Sequence, residues 1–98
     1  MAQNKRHETE KYAEVYKVLS NSKRLEIIRL LGNGERSVDE LSKALKLRKA
    51  NVSQHLTHLR YARLVKGRRE GTRVFYHLTN PRILKMGDIL SEFFDGME

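Results

Sequence analysis

A chain of 98 residues, 39% apolar and 33% charged, suits one domain with a modest core. No apolar run is long enough to cross a bilayer, and the polar start MAQNKRHETEKYAEV lacks the apolar stretch of a secretion signal, so a cytoplasmic protein is expected. The absence of cysteine excludes disulfides, thiolate metal sites and thiol redox sensing. The net charge of +8 is concentrated: residues 46–73 hold nine basic side chains (Lys46, Arg48, Lys49, Arg60, Arg63, Lys66, Arg68, Arg69, Arg73) against Glu70, while elsewhere acids and bases cancel. A local excess of this kind suits a polyanion, or a solvated face.

In chain order, residues 1–7, including His7, read as frayed. Tyr12, Val15, Tyr16 and Leu19 then keep the i, i+3, i+4, i+7 spacing of one helical face. Asn21 caps a second helix carrying Leu25, Ile27, Ile28, Leu30 and Leu31, and Gly32 and Gly34 are expected to end it in the left-handed conformation. Ser37-Val38-Asp39-Glu40 fits a capping box that opens a short third helix through Leu41 and Leu45. Lys46-Leu47 makes a tight turn into a fourth helix over residues 48–62, buried along Val52, Leu56 and Leu59. Two short helices joined by a few residues form the helix-turn-helix pattern, here over residues 37–62.

After Leu64 the period changes to two. Residues 64–69 and 72–78 flank Glu70-Gly71 as a hairpin, with Val74, Tyr76 and Leu78 on one face and Arg73, Phe75 and His77 on the other. Asn80-Pro81 then starts a last helix with a broad apolar face of Ile83, Met86, Ile89, Leu90, Phe93 and Phe94. The expected fold is mainly α with a small β-hairpin in the order ααααββα. It is a single winged helix-turn-helix domain over residues 1–98, with the wing at 64–78.

With Val52, Leu56 and Leu59 inward, the fourth helix turns Lys49, Ala50, Asn51, Ser53, Gln54 and Thr57 outward. Asn and Gln can bond adenine in a bidentate manner, lysine reaches guanine, and an alanine methyl meets the thymine methyl. The N-terminal half of a recognition helix enters the major groove, so Lys49, Ala50, Asn51, Ser53 and Gln54 are the base-reading candidates. His55, Arg60, Lys66, Arg68, Arg69, Thr72 and Arg73 are the phosphate and wing candidates. A charged edge strand guarded against aggregation accounts for the wing cations equally well.

LSNSKRLEIIRLLGNGERSVDELSKAL followed by NVSQHLTHLRYARLVKGRREGTRVFYHLT resembles the ArsR family of winged-helix repressors, over about residues 10–80. The resemblance implies a homodimer held by the first and last helices, presenting two recognition helices to a palindromic operator. It also implies repression relieved by a metal ion or another inducer. By matching position it assigns Lys49, Asn51, Ser53, Gln54 and His55 to base and phosphate contacts, and Arg68, Arg69 and Arg73 to the wing. Independently of the family, a chain this size has little core to share with both terminal helices. Tyr12, Val15, Tyr16, Leu19, Ile83, Met86, Ile89, Leu90, Phe93 and Phe94 are therefore expected at a two-fold interface between residues 8–20 and 81–97, though they could instead pad the monomer core.

The family's sensing motifs are missing. The stretch where arsenite and cadmium sensors carry cysteines reads RSVDEL here, and residues 82–98, where zinc, nickel and cobalt sensors place histidines, hold none. Asp88, Glu92 and Asp95 recur at helical spacing, but a solvated face explains three carboxylates better than zinc does. His55 and His58 share a face without a third ligand, and His77 sits beside Phe75 in the wing. No metal or cofactor is expected, which leaves a small-molecule inducer of unidentified chemistry, or none. No nucleophile–base pair, glycine-rich phosphate cradle or cofactor motif supports an enzyme. A constitutive or architectural DNA binder stays open, as does a winged-helix module for RNA or protein. Positions 49–54 offer neither aromatics for stacked bases nor an apolar patch for a protein, which favours double-stranded DNA.

Overall fold

The computed structural model describes residues 2–97, with side chains from His7 onward. Its helices are α1 (Ala2–Leu19), α2 (Ser22–Leu31), α3 (Val38–Leu45), α4 (Lys49–Tyr61) and α5 (Lys85–Asp95); its strands are β1 (Arg36–Ser37), β2 (Val65–Glu70) and β3 (Arg73–Leu78). One 3-10 turn, Pro81–Leu84, precedes α5. The winged helix-turn-helix expected from the periodicities is the fold observed, with several local corrections.

The first concerns residues 2–7, which are helical rather than frayed; Met1 lies outside the described residues. Alanine, glutamine, lysine and glutamate propagate a helix well, and α1 holds no glycine or proline to stop it. The second is β1. It lies against β3 to make a three-stranded antiparallel sheet in the order β1-β3-β2, with Arg36 opposite Tyr76 and Ser37 opposite Phe75. A two-residue strand is too short to show a period of two in sequence. The third is the hairpin turn. Glu70 pairs with Arg73, so the turn is Gly71-Thr72, one residue later than the sequence suggests, and Gly71 supplies the positive φ of 63°.

Helix ends also differ from expectation in one respect. Asn21 caps α2 by accepting from the Lys23 and Arg24 amides, and the Ser37–Glu40 capping box forms reciprocally at 3.0 and 3.1 Å. But Gly32 is right-handed, at φ −63°, and only Gly34 takes a positive φ. A Cβ on Gly32 would stand 2.8 Å from a Leu84 methyl, so close approach of the segment before α5 is what a side chain would obstruct. The left-handed slots after α3 and α4 are filled by Lys46 (φ 56°) and Arg63 (φ 63°). At Arg63 the closing bonds are those of a Schellman motif: the Leu64 amide donates to the Leu59 carbonyl and the Arg63 amide to that of Arg60.

The core is formed by Leu19, Ile27, Ile28, Leu31, Leu41, Leu45, Val52, Leu56, Leu59 and Val65. It lies where α2, α3, α4 and the root of β2 meet, and α5 supplies no fully buried residue. Ile83, Leu84 and Met86 lean on its edge, as do Tyr76 and Leu78. The radius of gyration is 15.0 Å, against about 13 Å for a compact chain of this length.

Because a left-handed non-glycine residue carries a steric penalty, Arg63→Gly should raise the unfolding free energy by about 1 kcal/mol, less the contribution of a cation at the α4 C-terminus. Urea denaturation at fixed protein concentration checks this, and a lower midpoint would contradict the assigned conformation.

Candidate DNA interface

Burial of Val52, Leu56 and Leu59, each at most 1% exposed, fixes the rotation of α4. Lys49, Ala50, Asn51, Ser53, Gln54, Thr57, His58 and Arg60 are consequently exposed on it. The five base-reading candidates therefore share the first turns of one helix, on the side away from the core. Arg48 caps α4 without a side-chain bond and no acid lies in the first turn, so α4 itself supplies no negative charge to the positive end of its dipole.

The surface is not a plain field of cations, because acids from outside residues 46–73 fold onto it. Lys49 Nζ lies 2.9 Å from Asp39 Oδ1 on α3. Hydrogen bonding and charge from Lys49 hold the Asp39 carboxyl below its usual range, against a smaller opposing effect of burial. His55 is half-buried, and its Nδ1 accepts a 3.3 Å bond from Arg24 Nε, while Arg24 Nη1 donates to the Val18 carbonyl. Burial, then the Arg24 charge, then His58, push the His55 pKa down. With Nδ1 accepting, the neutral ring carries its proton on Nε2, so His55 is suited to a neutral donor's role rather than to that of a cation against phosphate.

In the wing, Lys66, Arg69, Thr72 and Arg73 are exposed, the last three around the hairpin tip. Arg68 is engaged internally: Nε bonds both Glu35 carboxylate oxygens at 2.9 Å, Nη2 lies 2.6 Å from Glu35 Oε1, and Nη1 lies 2.9 Å from Glu70 Oε2. Its guanidinium stands 4.9 Å from the Phe75 ring centroid, and that of Arg73 stands 5.1 Å away. Arg73 Nη2 also reaches Ser37 Oγ at 3.4 Å. His77 Nδ1 is 3.7 Å from Glu35 Oε2, buried and without a hydrogen-bond partner. Sequence reasoning missed Arg24, Glu35 and Asp39 as members of this surface. Arg24 and His55 are 31 residues apart and Glu35 and Arg68 33, so no local spacing announces them.

The residues expected at a two-fold interface divide in two. Leu19 is a core residue, 8% exposed, and Val15, Ile83 and Met86 are partly buried against the core, so these four contribute to the monomer's core or its edge. Tyr12 and Tyr16 on α1, and Ile89, Leu90, Phe93 and Phe94 on α5, are 53–64% exposed. Phe93 and Phe94 meet edge to face at 5.4 Å. Among the described residues no three histidine, aspartate or glutamate side chains converge as a metal site, and no helix is long and apolar enough to cross a membrane.

The Lys49–Asp39 pair has a checkable titration. A folded-state carboxyl value below the unfolded one favours the fold at higher pH, and that contribution is lost as pH falls through the folded-state value. Lys49→Ala should move the Asp39 midpoint up toward its ordinary 3.8, followed by NMR of the side-chain carboxyl. An unmoved midpoint would show that the pair does not form in solution.

Residues 21–66 match the family described as bacterial regulatory protein, arsR family. The chain is 40% identical over 73 residues to the HTH-type transcriptional regulator KmtR of Mycobacterium tuberculosis, a match covering 74% of this chain and 56% of that protein. It is 38% identical over 78 residues to the transcriptional activator HlyU of Vibrio cholerae, covering 80% of this chain and 72% of HlyU. The structure of reduced HlyU superposes with a TM-score of 0.80 at 35% identity, covering 94% of this chain and 97% of that one. The homodimeric winged helix-turn-helix DNA-binding domain of a possible ArsR-family regulator from Mycobacterium bovis superposes with a TM-score of 0.86 at 29% identity, covering 100% and 94%. The matched stretch occupies little more than half the length of KmtR. With this winged helix-turn-helix architecture and these relatives, the chain belongs to the ArsR family of DNA-binding transcriptional regulators.

Proposed function

We propose that the protein is a homodimeric repressor that occupies a palindromic operator. Lys49, Ala50, Asn51, Ser53 and Gln54 read bases in the major groove, and Arg60, Lys66, Arg69, Thr72 and Arg73 hold the phosphate backbone. The observation that carries this reading is the two-sidedness of α4: its apolar stripe is sealed in the core, and its N-terminal half is solvent-facing and made of small or hydrogen-bonding residues. In a two-fold dimer the two α4 helices would enter successive major grooves about 34 Å apart, which is why the operator is expected to be palindromic.

Pairing is supported by the exposed faces of α1 and α5. Six large apolar side chains beside a core that already closes without them are costly to leave in water. The radius of gyration above that of a compact monomer fits a protomer whose terminal helices wait for a partner, and the Mycobacterium bovis neighbour is described as homodimeric. Repression is the simplest consequence of occupancy, since a dimer lying on promoter DNA excludes polymerase from it. The inducer is left to small molecules or to metal ions bound without thiolates, because the chain has no cysteine.

The decisive experiment is titration of the protein against DNA from its own upstream region, alone and with zinc, nickel or small metabolites. Tight binding released by one of these identifies an inducible repressor. Binding that none of them changes favours a constitutive DNA-binding protein. For the reading helix, Asn51→Ala with Gln54→Ala should cost about 2–6 kcal/mol of discrimination between operator and random duplex; unchanged discrimination would refute base reading. For pairing, Phe93→Glu should give a monomer by light scattering, since a carboxylate in an apolar interface is desolvated without a partner. A surviving dimer would remove α5 from the interface.

A further inference from the structure

The wing has a fastening that is separate from its gripping residues. Strand β3 lies in the middle of the sheet, with β2 on one side and the two-residue β1 on the other. Arg68 on β2 sits opposite Phe75 on β3, and Phe75 sits opposite Ser37 on β1. From β2 the Arg68 side chain crosses β3 over the Phe75 ring and reaches Glu35, two residues before Ser37. All three nitrogens of its guanidinium are then engaged by carboxylates, Nε and Nη2 with Glu35 and Nη1 with Glu70. Beyond this crossing the hairpin continues as residues 69–74 alone, and it is this extension that carries Arg69, Thr72 and Arg73.

We propose that Glu35 is a positioning residue for DNA binding: through Arg68 it straps the wing across the sheet at a fixed angle, so that Arg68 serves as a strut and the phosphate contacts are made by Lys66 and the tip residues. A bidentate carboxylate fork gives the guanidinium one orientation, and the ring beneath it excludes water from one side of the plane. To grip a phosphate instead, Arg68 would have to surrender two carboxylates and its stacking place. The tip, by contrast, is joined to the body through two strands and a two-residue β1 pairing, so its direction needs such a fixture. Preorganising it spares binding the entropy of ordering a loose ribbon.

This proposal rests on reading the wing as a DNA contact. The test uses the full chain and a duplex selected by the protein from a random-sequence pool, with affinity measured over a range of salt and folding checked by circular dichroism. Arg68→Ala and Glu35→Gln should each weaken binding on the order of fivefold, the scale of one well-formed exposed ion pair. The Glu35 result is diagnostic in sign, because removing a negative charge from a DNA-binding protein would ordinarily strengthen it. The double variant should bind no more weakly than either single one, and the salt slope should stay unchanged in all three, since no phosphate contact is lost. Exchanging the charges (Glu35→Arg with Arg68→Glu, in a Glu70→Gln background) should recover most of the affinity.

Tighter binding by Glu35→Gln, a salt slope lowered by about one unit in Arg68→Ala, or failure of the exchange would show that Arg68 grips phosphate and would overturn the strut. Lys66→Ala with Arg69→Ala is the separate control on the underlying reading. It should lower the slope by about two, and an unchanged slope would remove the wing from the DNA and this role of Glu35 with it.

Discussion

Every functional direction in this chain follows from how α4 is held. Val52, Leu56 and Leu59 are at i, i+4 and i+7, and all three are sealed against α2, α3 and the root of β2. A helix pinned along one line has no rotational freedom, so the residues on its other side are presented in a set direction and register. If that stripe turned by one position, about 100°, it would take Asn51 and Gln54 out of their shared orientation. The apolar contact is therefore the source of the polar surface's geometry. The same contact explains why α3 must be short and well capped: the Ser37–Glu40 box and the left-handed Lys46 set where α3 begins and ends, and thereby the angle at which α4 leaves it.

A core placed at this junction has a cost at the periphery. The ten buried apolar residues come from α1 only at Leu19 and from α5 not at all. Each end of the chain thus spends one edge on the domain, through Val15 on α1 or through Ile83 in the 3-10 turn and Met86 on α5, and keeps a second apolar edge unburied. Tyr12, Tyr16, Ile89, Leu90, Phe93 and Phe94 make up those second edges. That division separates the two parts of the chain: the centre fixes the direction of the exposed face of α4, and the ends keep apolar faces available to a partner.

How much of this was legible in the sequence depended on range. The helix-turn-helix declared itself through periodicity and capping, because i, i+4, i+7 spacing and the Ser-x-x-Glu pattern are local physics written in neighbouring residues. The outward set on α4 followed by subtraction once the buried stripe was known. What the sequence hid was either short or distant. Strand β1 is two residues long, and it is recognisable only because β3 lies beside it. Both Glu70-Gly71 and Gly71-Thr72 contain the glycine, and only pairing across the strands places the turn at the second. Apolar residues on α1 and α5 looked like one face, yet Leu19 belongs to the core, a distinction that depends on which neighbours the fold supplies.

Charge shows the same limit in a form that bears on mechanism. Counted along the chain, residues 46–73 are a block of nearly unrelieved positive charge. In the folded protein, Asp39 stands against Lys49 and Glu35 against Arg68, so carboxylates from the preceding segment neutralise part of it. A surface of pure cations would repel itself and bind any polyanion. Pairing some cations internally lowers that repulsion and gives their side chains defined positions. Lys46, Arg48, Arg60, Arg63, Lys66, Arg69 and Arg73 have no ion pair among the described residues and keep their charge available to a polyanion. A count of charges along the stretch therefore overstates the number that are free of a carboxylate in the folded protein.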